Sequence, residues 1–325
     1  MTETSRILVT GGAGFIGSHI VDRCVADGHK VRVLDNLSNS TITNLKEHIE
    51  ANAIEFIKGD IRDAKTVKDS IRQVDVVIHE AAQVSIPMSM SDPMYTEEVN
   101  GKGTLNLLAA ALEEGVRRFV FASSSSVYGD PAKLPVTEDT PFQPMSPYAA
   151  SKIAGEAYCA SFFKARGLPT VCLRYFNVFG SRQSSNGYAT VIPAFIRSLL
   201  DGKQLKIFGD GGQTRDFVHV RDVVQANILA MNMNAVMGMA YNIGSGKFVT
   251  ITELSELLRK IADGRSLPPI YAPPRIGDVR HSVADITQAR EAMGYCPGTD
   301  LKADLEALFK SWKEDAADWT SRGKE

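Results

Sequence analysis

Near its start the chain sets a short β-branched run, Arg6-Ile7-Leu8-Val9, directly before Thr10-Gly11-Gly12-Ala13-Gly14-Phe15-Ile16-Gly17. Ile16, Ile20, Val21, Cys24 and Val25 then recur at helical spacing, Gly28 closes the pattern, and Val31-Arg32-Val33-Leu34 leads to Asp35. Strand, glycine loop, helix, strand is the parse. Gly12, Gly14 and Gly17 give G-x-G-x-x-G, and Gly11, Gly14 and Gly17 give G-x-x-G-x-x-G. Such glycines permit a tight turn and let backbone N–H groups approach a pyrophosphate at a helix N-terminus. An acid at the end of the next strand accepts from ribose hydroxyls. A carboxylate there would also repel a 2′-phosphate, so Asp35 points to NAD rather than NADP. A lone glycine triplet is weak, but the whole succession predicts a dinucleotide-binding unit.

The alternation continues. Ile54-Glu55-Phe56-Ile57 leads to Gly59-Asp60-Ile61, where Asp60 either flanks an adenine ring, through its carboxylate or its backbone, or serves as a strand-end turn or helix N-cap. Asp75 to His79 reads as a fourth strand running into Glu80-Ala81-Ala82, small residues that let a backbone pass close to a cofactor. A long helix is expected from Met94 to Glu114, then a fifth strand, Arg118 to Phe121, feeding Ser123 to Ser126. Thr170 to Arg174 delivers Tyr175-Phe176-Asn177 to the same edge. The predicted class is α/β, a doubly wound parallel sheet with ligands at the carboxyl ends of its strands. From about residue 180 the texture becomes turn-rich. We expect residues 1–179 to form the dinucleotide-binding domain and 180–325 a smaller lobe over the cleft, with some segments returning to the main sheet and a last helix near Ala303 to Trp312.

The chemistry is expected between Ala122 and Lys152. Tyr148 and Lys152 are four residues apart, so on a helix they share a face. A nearby ammonium favours the phenolate and brings a tyrosine toward the range of a general base. Ser124 or a neighbour can hydrogen-bond the same substrate hydroxyl. The spacing alone is common, and the glycine loop upstream gives it weight. With a formal charge of −2 over 325 residues the chain has no general attraction for nucleic acid or anionic membrane. The cysteines, Cys24, Cys159, Cys172 and Cys296, show no metal-ligand or paired spacing, and no metal is expected. They read as reduced residues of a cytoplasmic protein. No apolar run approaches the roughly 18 residues a membrane helix needs.

Taken together, these passages resemble the extended short-chain dehydrogenase/reductase family and, within it, the UDP-sugar 4-epimerases. The match also takes in Asp35-Asn36, Ala122 to Asp130, Arg174-Tyr175-Phe176-Asn177, Arg215-Asp216 and Arg275-Ile276-Gly277-Asp278, and covers nearly the whole chain. The resemblance implies that Tyr148 acts on the sugar 4-hydroxyl, Lys152 lowers its pKa and holds the nicotinamide ribose, and Ser124 bonds the same oxygen. It implies NAD contacts from Gly11, Gly14, Phe15, Ile16 and Gly17, from Asp35, Asn36, Asp60 and Ile61, and from Ala81, Ala82, Gln83, Asn100, Tyr175 and Phe176. UDP-sugar contacts are implied for Ser85, Ser124, Asn177, Val191, Lys206, Phe208, Arg215, Arg275, Asp278 and Ser282. A homodimer packed through the helices near Met94 to Glu114 and Tyr148 to Arg166 is implied as well.

The implied reaction inverts C4 through a transient 4-keto sugar with no net use of NAD. Related dehydratases carry an Asp-Glu pair at the positions of Ser125 and Ser126, and decarboxylases a Glu, so epimerisation is favoured over elimination. A UDP-glucuronate 4-epimerase and a non-catalytic NAD-binding sensor or scaffold remain alternatives, the latter opposed by an intact Ser/Tyr/Lys set. Ser282 occupies a position that gates pocket size in the family. Its small side chain suggests UDP-GlcNAc/UDP-GalNAc interconversion beside UDP-Glc/UDP-Gal.

Overall fold

The computed structural model describes residues 4–183, 190–263, 267–274 and 279–322. Six apolar runs form strands β1 (Arg6–Thr10), β2 (Lys30–Asp35), β3 (Ile54–Lys58), β4 (Val76–His79), β5 (Arg118–Ser124) and β6 (Thr170–Tyr175). With Ala240–Ile243 they make one seven-stranded sheet in the order Ala240–Ile243, β6, β5, β4, β1, β2, β3. Every pairing is parallel. Strands β1, β4, β5 and β6 are buried almost throughout, as a sheet covered on both faces requires. Helices α1 (Phe15–Ala26) and Val220–Asn232 pack together on one side, and Ala64–Ser70, Gly103–Glu114 and Pro147–Arg166 belong to the other. The strand order reverses between β1 and β4, which opens a crevice at their carboxyl ends. Both the glycine loop after β1 and Glu80-Ala81 after β4 emerge there.

A third apolar cluster lies beyond the sheet and draws only on later residues, among them Phe179, Phe195, Ile207, Leu254, Leu258 and Leu305. Around it are short pairings: Asn177–Phe179 with Phe217–His219, Lys206–Phe208 with Ile270–Ala272, and Val249–Thr250 and His281–Ser282 on either side of Thr214–Arg215. Within the stretch expected to be turn-rich, Lys206–Phe208 is a strand. The last helix runs Leu301–Arg322, longer than its apolar stripe suggested because polar helix formers extend it past Trp312.

The expected helix from Met94 to Glu114 is not uniform. Pro93–Glu97 and Gly103–Glu114 are α-helical, but Glu98–Lys102 is a π-turn. A π-turn accommodates one extra residue per turn, and such turns frequently sit at functional sites. Here Asn100 is in it, with its amide buried and committed. Its Nδ2 donates to the Gln83 carbonyl at 3.0 Å and to Ser151 Oγ at 2.9 Å, while its Oδ1 accepts from Gln83 N at 2.8 Å. The helical period cannot report such a detour, because the apolar pattern resumes beyond it.

Candidate active site

The glycine loop shows why each small residue is needed. Gly11 has φ +67°, and a Cβ there would lie 2.7 Å from Ala81 N. A Cβ on Gly17 would collide with the Gly11 carbonyl oxygen, so α1 could not pack this close to β1. Helix α1 starts at Gly14 with no side-chain cap and no acid in its first turn. Its N-terminal dipole is therefore left facing the crevice. Asp35 is buried and accepts from Ala13 N at 3.0 Å, Leu37 N at 2.8 Å and Ser40 Oγ at 2.9 Å. A carboxylate offers about four acceptor sites, so one remains for a hydroxyl.

These groups line a cavity of about 420 Å³. Gly11, Gly14, Phe15, Ile16 and Gly17 form part of it, with Asp35, Asn36, Asp60 and Ile61 along one wall. Ala81, Ala82 and Gln83 come from the end of β4, Ser124 from β5, Tyr148 and Lys152 from the Pro147–Arg166 helix, and Tyr175 and Phe176 from β6. That helix is started by Ser146, whose Oγ accepts from Ala149 N, with Pro147 in its first turn. Tyr148 and Lys152 therefore sit within its first two turns, side by side. Lys152 Nζ is 5.9 Å from the Tyr148 ring centre and 5.0 Å from that of Phe121. It donates to the Ala122 carbonyl at 2.7 Å. Burial lowers its pKa to about 8, against an opposing pull from Glu80. Ser124 Oγ accepts from Ser126 N at 3.2 Å, which leaves its own proton to donate.

Asp60 does not cap the following helix. Asp63 does, accepting from Lys65 N at 3.0 Å. Asp60 instead takes N–H groups from Arg62 N, Arg62 Nε, Arg62 Nη2 and Asn36 Nδ2. The Arg62 bonds hold its pKa at about 2. With four donors the carboxylate is saturated, and what it has left for a ligand is its backbone. Asn100 is not on the cavity wall but bonds Gln83, which is.

Beneath the floor runs a chain of buried hydrogen bonds. Thr104 Oγ1 donates to Asn100 O at 2.6 Å, so it accepts from His79 Nε2 at 2.9 Å. His79 Nδ1 is then left to accept from Thr10 Oγ1 at 2.8 Å, which itself accepts from Ala81 N at 3.3 Å. Burial brings the His79 pKa down to about 3, with Lys152 adding to the effect, so the ring is neutral. A second network fixes the Tyr148 helix from behind. Glu156 pairs bidentately with Arg174 and accepts from Ser123 Oγ, and Arg174 Nη1 reaches Tyr128 OH at 2.7 Å.

The remaining expected substrate residues do not line this cavity. Ser85 caps the Ile86–Ser91 helix, Val191 begins Val191–Leu200, and Asn177 N donates to Asp216 O at 3.0 Å. Lys206 Nζ lies 5.0 Å from the Phe208 ring centre, and Phe208 lines a second cavity of about 590 Å³ with Gln213, Tyr271 and Arg280. Arg215 lines a third, and its Nη1 donates to Thr214 O at 2.8 Å. Ser282 is half-buried and stands opposite Arg215 in the short sheet. Asp216, a possible ionic partner for Arg215, is instead buried and accepts from Ser245, Gly246 and Ala284. Arg275 and Asp278 lie outside the described residues. Sequence reasoning missed Glu80, Tyr95, Val99 and Thr190 on the wall of the main cavity. Glu80 could have been found, as an acid at the carboxyl end of a predicted strand.

Residues 7–244 match the NAD dependent epimerase/dehydratase family. The chain belongs to this family. It is 44% identical over 300 residues to the UDP-glucose 4-epimerase of Mycolicibacterium smegmatis, covering 91% of this chain and 95% of the relative. It is 42% identical over 312 residues to a putative UDP-glucose 4-epimerase of Methanocaldococcus jannaschii, covering 95% and 99%. Among solved structures, the UDP-N-acetylglucosamine 4-epimerase from Methanobrevibacter ruminantium, in complex with UDP-N-acetylmuramic acid, superposes with a TM-score of 0.92 at 37% identity, covering 97% of this chain and 100% of that one. The dTDP-glucose 4,6-dehydratase from Streptomyces venezuelae, with NAD and TYD bound, gives 0.89 at 32% identity, covering 97% and 98%. The resemblance read from the residues and the doubly wound fold are both borne out, and this epimerase/dehydratase family member is an NAD-dependent epimerase, an isomerase. Its glycine cradle, its uncapped α1 and the spare acceptor of Asp35 fit that cofactor.

Proposed function

We propose that the chain inverts C4 of a UDP-hexose, with UDP-GlcNAc/UDP-GalNAc and UDP-Glc/UDP-Gal as its substrate pairs. The observation that carries this reading is the meeting of Ser124, Tyr148 and Lys152 at one cavity that also contains the glycine cradle. Tyr148 takes the O4 proton and returns it. The Lys152 ammonium stabilises the phenolate, and Ser124 orients the same oxygen. Bound NAD supplies a reversible hydride acceptor. Gly11, Gly14, Phe15, Ile16 and Gly17 would hold its pyrophosphate, Asp35 and Asn36 its adenosine ribose, the Asp60 backbone with Ile61 its adenine, and Ala81, Ala82, Gln83, Lys152, Tyr175 and Phe176 the nicotinamide end. Asn100 keeps Gln83 in place.

Elimination across C5 and C6 needs a further acid and base. The positions that supply them in dehydratases are Ser125 and Ser126, in the short turn after β5. Residues from 180 onward are assigned mainly to the UDP-sugar, through Val191, Lys206, Phe208, Arg215 and Ser282 together with Arg275 and Asp278, and Ser85 and Asn177 join them from the first domain. The small Ser282 side chain and the likeness to a UDP-N-acetylglucosamine 4-epimerase support an acetylated substrate. A homodimer through the Met94 to Glu114 and Tyr148 to Arg166 helices belongs to the same reading. Met88, Met90 and Met94 are exposed near the first of them.

A proton NMR time course with UDP-GlcNAc, run with and without added NAD, is the test. Appearance of UDP-GalNAc up to a constant ratio is the expected result. Tyr148→Phe should lower the rate by about 10²–10⁴-fold. Full activity in that variant, or a dehydrated product, would refute the assignment.

A further inference from the structure

Lys152 poses an electrostatic problem. It is 4% exposed, and a neutral carbonyl, Ala122 O, takes one of its three protons. A buried ammonium needs a negative group nearby to remain charged. Two glutamates act on it, Glu156 on its own helix and Glu80 on the wall of the same cavity. Glu156 is already committed to Arg174 and Ser123. Glu80 is held differently. Strand register pairs His79 with Phe121, so Glu80 follows beside Ala122, the residue whose carbonyl holds Lys152. Tyr175 OH donates to Glu80 Oε1 at 2.7 Å, and Asn227 Nδ2 donates to the Tyr175 oxygen at 2.7 Å while also bonding Val223 O at 2.9 Å. The carboxyl group is thus fixed on the cavity wall by neutral partners, with its charge uncommitted.

We propose that Glu80 is a positioning residue for the reaction: the counter-charge that keeps the Lys152 ammonium protonated beside Tyr148. This rests on the reading of Tyr148 as base and Lys152 as its activator. Facing Glu80 are Tyr175 from β6 and Lys152 from the helix, and facing Lys152 are Glu80, Tyr148, Glu156 and Cys159. Burial lifts the Glu80 pKa to about 7, and the Tyr175 hydrogen bond and Lys152 oppose the rise. Both groups are therefore mostly charged between about pH 7, where Glu80 gives up its proton, and about pH 8, where Lys152 loses its own.

The test is a lysine-selective ¹³C,¹⁵N NMR titration of the protein as purified, with the Lys152 signal assigned by its loss in Lys152→Arg. Glu80→Gln keeps an acceptor for Tyr175 OH and removes the charge. The Lys152 midpoint should fall by about 1 unit or more, the usual effect of losing an opposite charge at short range. The alkaline limb of kcat/KM should move down with it, while a merely structural glutamate would lower the rate without moving either midpoint. Tyr175→Phe leaves the carboxylate but removes its donor, and should shift Lys152 in the same direction by less. It serves if Glu80→Gln does not fold. An unmoved Lys152 midpoint in a folded variant overturns the proposal even if UDP-sugars turn over. A lowered midpoint in a protein that epimerises nothing would uphold the charge coupling and sink only the functional reading.

Discussion

Replacing Lys152 by methionine should stabilise the protein at neutral pH while abolishing its activity. In the folded chain burial takes the Lys152 pKa from 10.5 to about 8. That difference of about 2.5 units, at ~1.4 kcal/mol each, is a native-state penalty of about 3 kcal/mol. Losing the bond to Ala122 O returns about 1 kcal/mol, so Lys152→Met should gain about 2 kcal/mol at pH 7. The pH dependence follows from the sign of the shift. Below about pH 8 both states carry the proton and the penalty is complete. Between about 8 and 10.5 the unfolded chain binds a proton that the native protein has released, so wild-type stability climbs with pH. The advantage of the variant should shrink across that window and be nearly gone by its upper end. Reversible urea unfolding of nucleotide-free protein at pH 7 and pH 10 measures both quantities. A variant less stable than wild type at pH 7, or a gain equal at both pH values, would refute the reasoning.

Gly17→Ala should weaken NAD binding at least tenfold by calorimetry, because its Cβ meets the Gly11 carbonyl and pushes α1 off the loop; unchanged affinity would count against the cradle. Arg174→Met leaves the Glu156 carboxylate buried without its cation and should cost about 3–5 kcal/mol in urea unfolding. A change within experimental error would show that the pair is dispensable. Ser282→Tyr should reduce turnover of UDP-GlcNAc more than that of UDP-Glc, and equal losses on both substrates would remove Ser282 from the specificity argument.

The sequence made the cofactor half of the site readable for a physical reason. Gly11, Gly14, Gly17 and Asp35 are contiguous with the strand and helix that place them, so local spacing carries the geometry. Tyr148 and Lys152 were legible in the same way, since one helix turn separates them. Glu80 was not singled out, because its significance comes from Tyr175, Asn227 and Lys152, which converge on it only once β4, β5 and β6 lie side by side. The π-turn at Asn100 escaped because an apolar period averages over it. For Arg215 and Ser282 the residue types were noticed, but their mutual approach depends on a two-residue strand pairing too short to leave a pattern. The saturation of Asp60 was hidden for a related reason: Arg62 and Asn36 compete for the carboxylate that the spacing offered to a ligand.

The buried chain through His79 has a direction. Each member passes a hydrogen to the next, from Ala81 N through Thr10 and His79 to Thr104 and the Asn100 carbonyl. A side chain in the place of His79 must accept at one end and donate at the other, at fixed separation. An all-donor lysine or an all-acceptor carboxylate would oppose one neighbour. The protein thus joins the glycine-loop strand to the π-turn by a polarity that restricts which mutations can drift through this position. Threonines 94 residues apart in sequence, Thr10 and Thr104, would have to change together with it.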